Sequence, residues 1–184
     1  IRLSDGKELR LHTRLVGECN VSNLLAAVAM AVAMGVPDDR IVYAVSQIEH
    51  VEHRLAVKHI SSDLTIIDDA FNSNPAGAAM ALDVLAAMKP GGRVLVTPGM
   101  IELGDRQYEL NADFGEKAAV SADTVIVVGQ YNRDAIVEGL KRGGMADEHI
   151  VIADSFADAQ VQLNSHAFPV KIILYENDLP DTFK

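Results

Sequence analysis

The chain has 184 residues, 49% of them hydrophobic and 23% charged, the balance of a globular α/β protein, which excludes a disordered chain, a collagen and a disulfide scaffold. At this length folding removes roughly 70% of the unfolded surface from water, so neither a metal nor a disulfide is needed to hold the chain. Twenty-six acidic against 16 basic residues give a formal charge of −10, a sign that repels nucleic-acid phosphates and anionic lipid and leaves small molecules as the expected partners.

The single Cys19 excludes an internal disulfide and fits a reducing cytoplasm. The longest apolar stretch, Leu24 to Val36, is too short to span a bilayer, and nothing reads as a signal peptide. The chain opens on Ile1 rather than Met, inside a strand-like run, and so reads as a fragment of something longer.

The elements follow in chain order. Alternation at Leu9, Leu11, Thr13 and Leu15 predicts a half-buried strand over 8–15. An Ala-rich helix is expected from Asn20 to Met34, ended by Gly35 and Pro37, then an amphipathic helix carrying Ile41, Val42, Ala44, Val45 and Ile48. Leu55–Ile60 and Leu64–Ile67 read as a hairpin joined by Ser61-Ser62-Asp63.

Helices are then expected at 75–88, 107–119, 132–140 and 156–163, alternating with strands at 93–97, 124–128, 149–153 and 170–174. Such alternation means βαβ units, a buried and mostly parallel doubly wound sheet, and right-handed crossovers that put helices on both faces. A unit boundary is expected near Val51, with residues 1–50 the tail of one domain and 51–184 a complete second one.

In an open α/β sheet the ligand lies beyond the carboxyl ends of the strands. The first such end carries Asp68-Asp69-Ala70-Phe71-Asn72-Ser73-Asn74-Pro75. Asn74 before Pro75 is a helix start in its own right, and the macrodipole offers Asp68 a purely structural role. The functional alternative is that one Asp and the amides grip a ribose, a metal-bound phosphate or a polar substrate.

The next end carries Thr97-Pro98-Gly99-Met100-Ile101-Glu102-Leu103-Gly104, a tight loop whose apolar residues cover the sheet end. Gly129 and Asp154 at the following ends read as turn residues. Ahead of the Ala-rich helix, Asn20 either caps the helix, which spacing favours, or offers its amide to a purine edge. Arg54 at the junction is either a solvated linker residue or a cation within reach of a phosphate.

No P-loop and no G-x-G-x-x-G string is present, no helical His pair points to zinc, and no nucleophile elbow occurs. His50 and His53 straddle a helix end and are a poor metal pair. Cys19 beside an apolar helix reads as a small buried side chain.

Taken in order, Gly17-Glu18-Cys19-Asn20-Val21-Ser22-Asn23-Leu24-Leu25-Ala26-Ala27, Glu52-His53-Arg54-Leu55, Ile66-Ile67 with the 68–75 string, and Gly99-Met100-Ile101-Glu102-Leu103-Gly104 resemble the Mur ligase family. Within it they resemble specifically the branch that adds D-Ala-D-Ala to UDP-MurNAc-tripeptide in peptidoglycan biosynthesis.

The resemblance implies a cytoplasmic, ATP-dependent amide ligase acting through an acyl phosphate, with Mg²⁺ on the phosphates. It places residues 1–50 at the end of the central ATPase domain and 51–184 in the Rossmann-like C-terminal domain. The P-loop would lie upstream, and this chain alone would be inactive. By position, Asn20, Arg54 and Asp69 are implied as ATP contacts, and Asn72, Asn74 and Pro75 as substrate-facing.

Three departures stand out. Cys19 replaces the usual His before Asn20, the loop Pro98–Gly104 lacks the branch's Asp, and the segment Tyr175 to Asp181 is acidic where the branch is rich in Lys and Arg. Two alternatives remain: a folylpolyglutamate-synthetase-like ligase fragment, whose D-G-A-H-N-P string differs from 68–75, and a stand-alone, non-catalytic nucleotide-binding module.

Overall fold

A computed structural model describes residues 1–165 and 171–178. The chain divides into two compact units, Ile1–Val51 and Glu52–Lys184.

The first unit holds α1 (Glu18–Ala33) and α2 (Asp38–Ser46). Helix α1 stops at Met34: Gly35, at φ 74, donates to Val32 O and Val36 donates to Ala31 O, the paired bonds that close a helix on a left-handed glycine. Leu24 and Val28, one turn apart, meet Ile41 and Val45 of α2 around Leu9.

Three expectations fail in this unit. Residues 8–15 form no strand: the backbone pairing there is an isolated bridge between Arg2 and Glu8, while Leu9, Leu11 and Leu15 pack onto the helices. Apolar alternation places a side chain in a core as well as it places one in a ladder. Asn20 does not cap α1 either, since the helix already starts at Glu18 after Gly17. Cys19 is half-buried rather than buried.

The second unit is a six-stranded sheet in the order β1-β2-β6-β3-β4-β5. Its strands are β1 (Ala56–Ser61), β2 (Leu64–Asp69), β3 (Gly92–Thr97), β4 (Thr124–Val128), β5 (Ile150–Ala153) and β6 (Lys171–Glu176). The β1–β2 hairpin is antiparallel, and every other pairing is parallel. The last strand begins at Lys171, and Val170, expected in it, lies outside the described residues, as do 179–181 of the acidic tail.

Helices α3 (Pro75–Ala87), α4 (Gln107–Ser121), α5 (Arg133–Arg142) and α6 (Phe156–Ser165) make the crossovers. The connections β2-α3-β3, β3-α4-β4 and β4-α5-β5 step the same way across the sheet, whereas β5-α6-β6 steps back. Right-handed crossovers then put α3, α4 and α5 on one face and α6 on the other. Ala159 and Leu163 of α6 accordingly pack on Val94, Val96, Ile126 and Ile173. The strand interiors are apolar on both faces, as a parallel sheet covered by helices requires.

Helices α4 and α5 meet through glycines. A Cβ built at Gly139 would stand 1.9 Å from Ala112 O, and one at Gly115 would stand 2.4 Å from Ile136 O. Both contacts are with backbone, which has no rotamer to yield. We therefore expect Gly139→Ala to cost about 2–3 kcal/mol by forcing the helices apart; an unchanged urea midpoint would mean that α5 slides freely.

Candidate functional site

Strand alternation sends the adjacent carboxylates Asp68 and Asp69 to opposite faces of β2. Asp68 accepts from Lys58 Nζ at 2.7 Å and pairs with His53 Nδ1 at 3.0 Å. Burial alone would raise its carboxyl; Lys58 and then His53 outweigh it and hold the group below its ordinary value. The macrodipole account of Asp68 is thus replaced by an ion pair reaching across the hairpin.

Asp69 accepts the Leu55 N–H at 2.9 Å. It lies beside Glu176, its register partner on β6. Burial raises the Asp69 carboxyl more than the Leu55 N–H, Glu176 and Arg54 lower it. Glu176 is 1% exposed, accepts from Ser73 Oγ and is pushed up to about 8, by burial first and the Asp69 charge second.

The segment leading into β1 is bound to this pair of aspartates. His53 and Leu55 adopt left-handed φ of 57° and 53°, conformations costing about 1–3 kcal/mol each for residues with a Cβ. The bonds from Asp68 to the His53 ring and from Asp69 to the Leu55 N–H oppose that strain. Arg54 between them is exposed, its guanidinium carbon 4.3 Å from the Phe71 ring centroid.

The loop after β3 is built on side-chain amides. Gly99 (φ 79) has room for no Cβ, which would stand 2.5 Å from Asn111 Oδ1. Asn111 accepts the Met100 N–H at 2.8 Å and donates to Met100 O at 3.0 Å. Asn132 donates to Pro98 O and Met100 O, each at 3.0 Å, and Gln107 donates to Met100 O and to Asn132 Oδ1. Met100 and Ile101 are buried, covering the sheet end as expected.

After β6, Asn177 (φ 66) donates its N–H to Asp69 O at 3.1 Å and its side chain to Gly99 O at 2.6 Å. On the α6 face a cavity of about 680 Å³ opens against the same strand ends, with Lys58, Asp68, Val96, Phe156 and Tyr175 in its wall. Asp154 at its mouth pairs with Arg133 at 2.8 Å, more than the turn residue the sequence implied.

The residues expected from the sequence fall into two groups. Arg54, Asp69, Asn72, Asn74 and Pro75 share the rim at the carboxyl end of β2. Asn74 is the α3 cap, accepting the Gly77 N–H at 3.0 Å with Pro75 at the first helical position, and Asn72 is exposed. Asn20 belongs to the other unit; its Nδ2 donates to Val16 O at 2.8 Å, so its carbonyl oxygen remains for another partner.

The sequence reading passed over Glu176, Asn177, Asn111, Asn132, Gln107 and Ser73. One signal was available: Asn111 lies on the buried stripe that continues through Phe114 and Ala118, where an amide needs a polar reason.

A Rossmann-like α/β domain with a polar rim at the strand ends is thereby defined. The match to the family described as "Mur ligase, glutamate ligase domain" over residues 53–175 shows that the chain belongs to the Mur ligase family. UDP-N-acetylmuramoyl-tripeptide–D-alanyl-D-alanine ligase of Escherichia coli is 35% identical over 119 residues, 64% of this chain and 26% of that enzyme. The crystal structure of MurF from Acinetobacter baumannii superposes with a TM-score of 0.74 and 27% identity over 91% of this chain and 36% of its own. Escherichia coli FolC in complex with ADP shares the fold at a TM-score of 0.66 and 20% identity, over 94% of this chain and 39% of its own. The chain thus spans about a quarter to two fifths of these relatives.

Among the described residues no group of three or more His, Cys, Asp or Glu is arranged to hold a metal ion. Among the described residues no helix is long and apolar enough to cross a membrane.

Asn74→Ala should lower stability by about 1 kcal/mol through the lost cap, read as a fall in melting temperature. An unchanged melting temperature would leave the α3 start to Pro75 alone.

Proposed function

We propose that the chain is the C-terminal portion of a cytoplasmic, ATP-dependent amide ligase that adds D-Ala-D-Ala to UDP-MurNAc-tripeptide in peptidoglycan synthesis. Residues 1–50 are then the end of its central ATP-binding domain and 51–184 its C-terminal domain. The observation that carries the reading is the rim itself, a family-matched domain whose paired-carboxylate loop and Gly99–Gly104 loop converge at the strand ends. Supporting it, α1 exposes Val21, Leu25 and Met30, and Met34 is exposed at its C-terminal cap, apolar side chains that the remainder of a larger domain would cover.

When bound, ATP supplies the phosphoryl group that activates the acceptor carboxylate. In this reading Arg54, its plane resting on Phe71, approaches the nucleotide's phosphates, and Asn20 presents its carbonyl oxygen to adenine. Asp69 holds the Arg54 segment through the Leu55 N–H and lies near the nucleotide's ribose and phosphates. Asn72 faces the incoming amine; Asn74 and Pro75 fix the start of α3 beneath it. The chain carries no phosphate-cradling loop, so turnover needs the P-loop portion of the ligase.

In the full-length ligase, Arg54→Ala should lower kcat/KM by about 10²-fold, a loss of about 2.7 kcal/mol of transition-state stabilisation. Its melting temperature should stay within about 2 °C of wild type, because the side chain is exposed. An equal loss of stability and activity would return Arg54 to a structural role. Isothermal calorimetry on the 184-residue chain should show ATP binding weaker than about 1 mM, near −4 kcal/mol. Micromolar binding would favour the stand-alone nucleotide-binding module.

A further inference from the structure

The two loops that carry the family's motifs, 68–75 and 98–104, do not bond to each other directly in any hydrogen bond described above. What joins them is the end of β6. Glu176 reaches the first loop, accepting from Ser73 Oγ and lying in register with Asp69. Asn177 reaches both, through its N–H to Asp69 O and its side chain to Gly99 O. The left-handed turn at Asn177 lets one residue make both contacts, and Asn tolerates it.

We infer that Glu176 and Asn177 are positioning residues, a latch that sets the β2 loop and the β3 loop at a fixed separation for the ligase reaction. The inference rests on the reading under "Proposed function" only for the reaction; the latch itself is a property of the chain.

The latch requires a proton. Among the described residues no hydrogen-bond donor reaches the buried Glu176 Oε2, and Asp69, its register partner on β2, is the carboxylate beside it. Two ionised carboxylates so placed repel, whereas a protonated Glu176 donates to Asp69 while its other oxygen accepts from Ser73. The charges that act on the pair from outside are Arg54, from the segment before β1, and Asp68, from the other face of β2, and the Ser73 hydroxyl reaches it from the loop before α3.

The sign of the pH dependence follows. An unfolded glutamate titrates near about 4.3, and Glu176 in the fold titrates at about 8. Between those values the folded chain keeps a proton that the unfolded chain has lost. Stability from this group is therefore complete below the unfolded value, falls as pH rises through the window, and levels off above the folded value. Glutamine in place of glutamic acid has the same shape, donates to Asp69, accepts from Ser73 and does not titrate.

The test uses Glu176→Gln, Glu176→Ala and Asn177→Gly. In the 184-residue chain, E176Q should melt with wild type at pH 5 and about 4 °C or more above it at pH 9. Carbon-13 carboxyl spectra of the wild type should show one buried carboxyl protonated at pH 7. In the full-length ligase, E176Q should keep the pH 7 kcat/KM within about threefold and remove a fall in activity that wild type shows above about pH 8. E176A and N177G, the latter keeping the left-handed backbone, should lower kcat about tenfold or more at every pH, since loop misplacement acts on the bound complex.

Parallel melting curves for wild type and E176Q at all pH values, or no protonated carboxyl at pH 7, would overturn the shared proton. Unaltered kinetics in E176A and N177G would overturn the positioning role. Absence of ligase activity in every form, with the melting and spectroscopic results intact, would instead sink the functional reading and leave the latch standing.

Discussion

The rim is organised by the need to satisfy backbone carbonyls that the loop after β3 carries into the protein interior. Pro98, Gly99 and Met100 turn their carbonyl oxygens inward, and each is met by a side-chain amide: Asn132 for Pro98, Asn177 for Gly99, and Asn111, Asn132 and Gln107 for Met100. A buried carbonyl left unmet costs about 1–3 kcal/mol, so these amides decide the loop's path more firmly than its own turn residues do. They come from α4, from the residue before α5 and from the residue after β6. The loop is therefore held from three sides, with Met100 and Ile101 anchored in the sheet end beneath it.

That arrangement explains which parts were legible in the sequence. Strand β4 and the starts of α3, α4 and α6 follow from period and punctuation: four apolar residues after Thr124 for the strand, and Asn74-Pro75 for α3. The residues over 8–15 misled because Leu9, Leu11 and Leu15 alternate for a reason other than sheet pairing. Asn20 misled in the same way, since an Asn before an apolar run describes a cap, yet the helix had already begun at Glu18. The β2 loop was conspicuous for its density of Asp and Asn. Glu176 and Asn177 were not, because their role depends on β6 lying between β2 and β3. Local pattern does not carry strand order, and a carboxylate after an apolar strand reads as an ordinary exit into solvent.

Asp68 and Asp69 show how far neighbours can diverge. The pleat sends one toward Lys58 and His53 and the other toward Glu176 and the Leu55 N–H. The first is held ionised by Lys58 and by its hydrogen bond with the His53 ring, and lies in the wall of the α6-face cavity. The second is raised by burial and couples to a second carboxyl. A motif read as two equivalent acids is two different groups on two faces, and only Asp69 belongs to the ties between the loops.

This difference bears on the approach of an anion. Fully ionised, Asp69 and Glu176 would place two negative charges close to Arg54 in a partly desolvated site, where repulsion is weakly screened. With one proton between them the pair carries a single negative charge, and the Arg54 guanidinium, stacked on Phe71, is less fully neutralised by its surroundings. A chain of net charge −10 can present a cation to an anionic ligand only where the local acids are neutralised or turned away. Here Lys58 neutralises Asp68 on one face, and the shared proton lowers the charge on the other. The latch that fixes the loops thus also moderates the field at the arginine beside them.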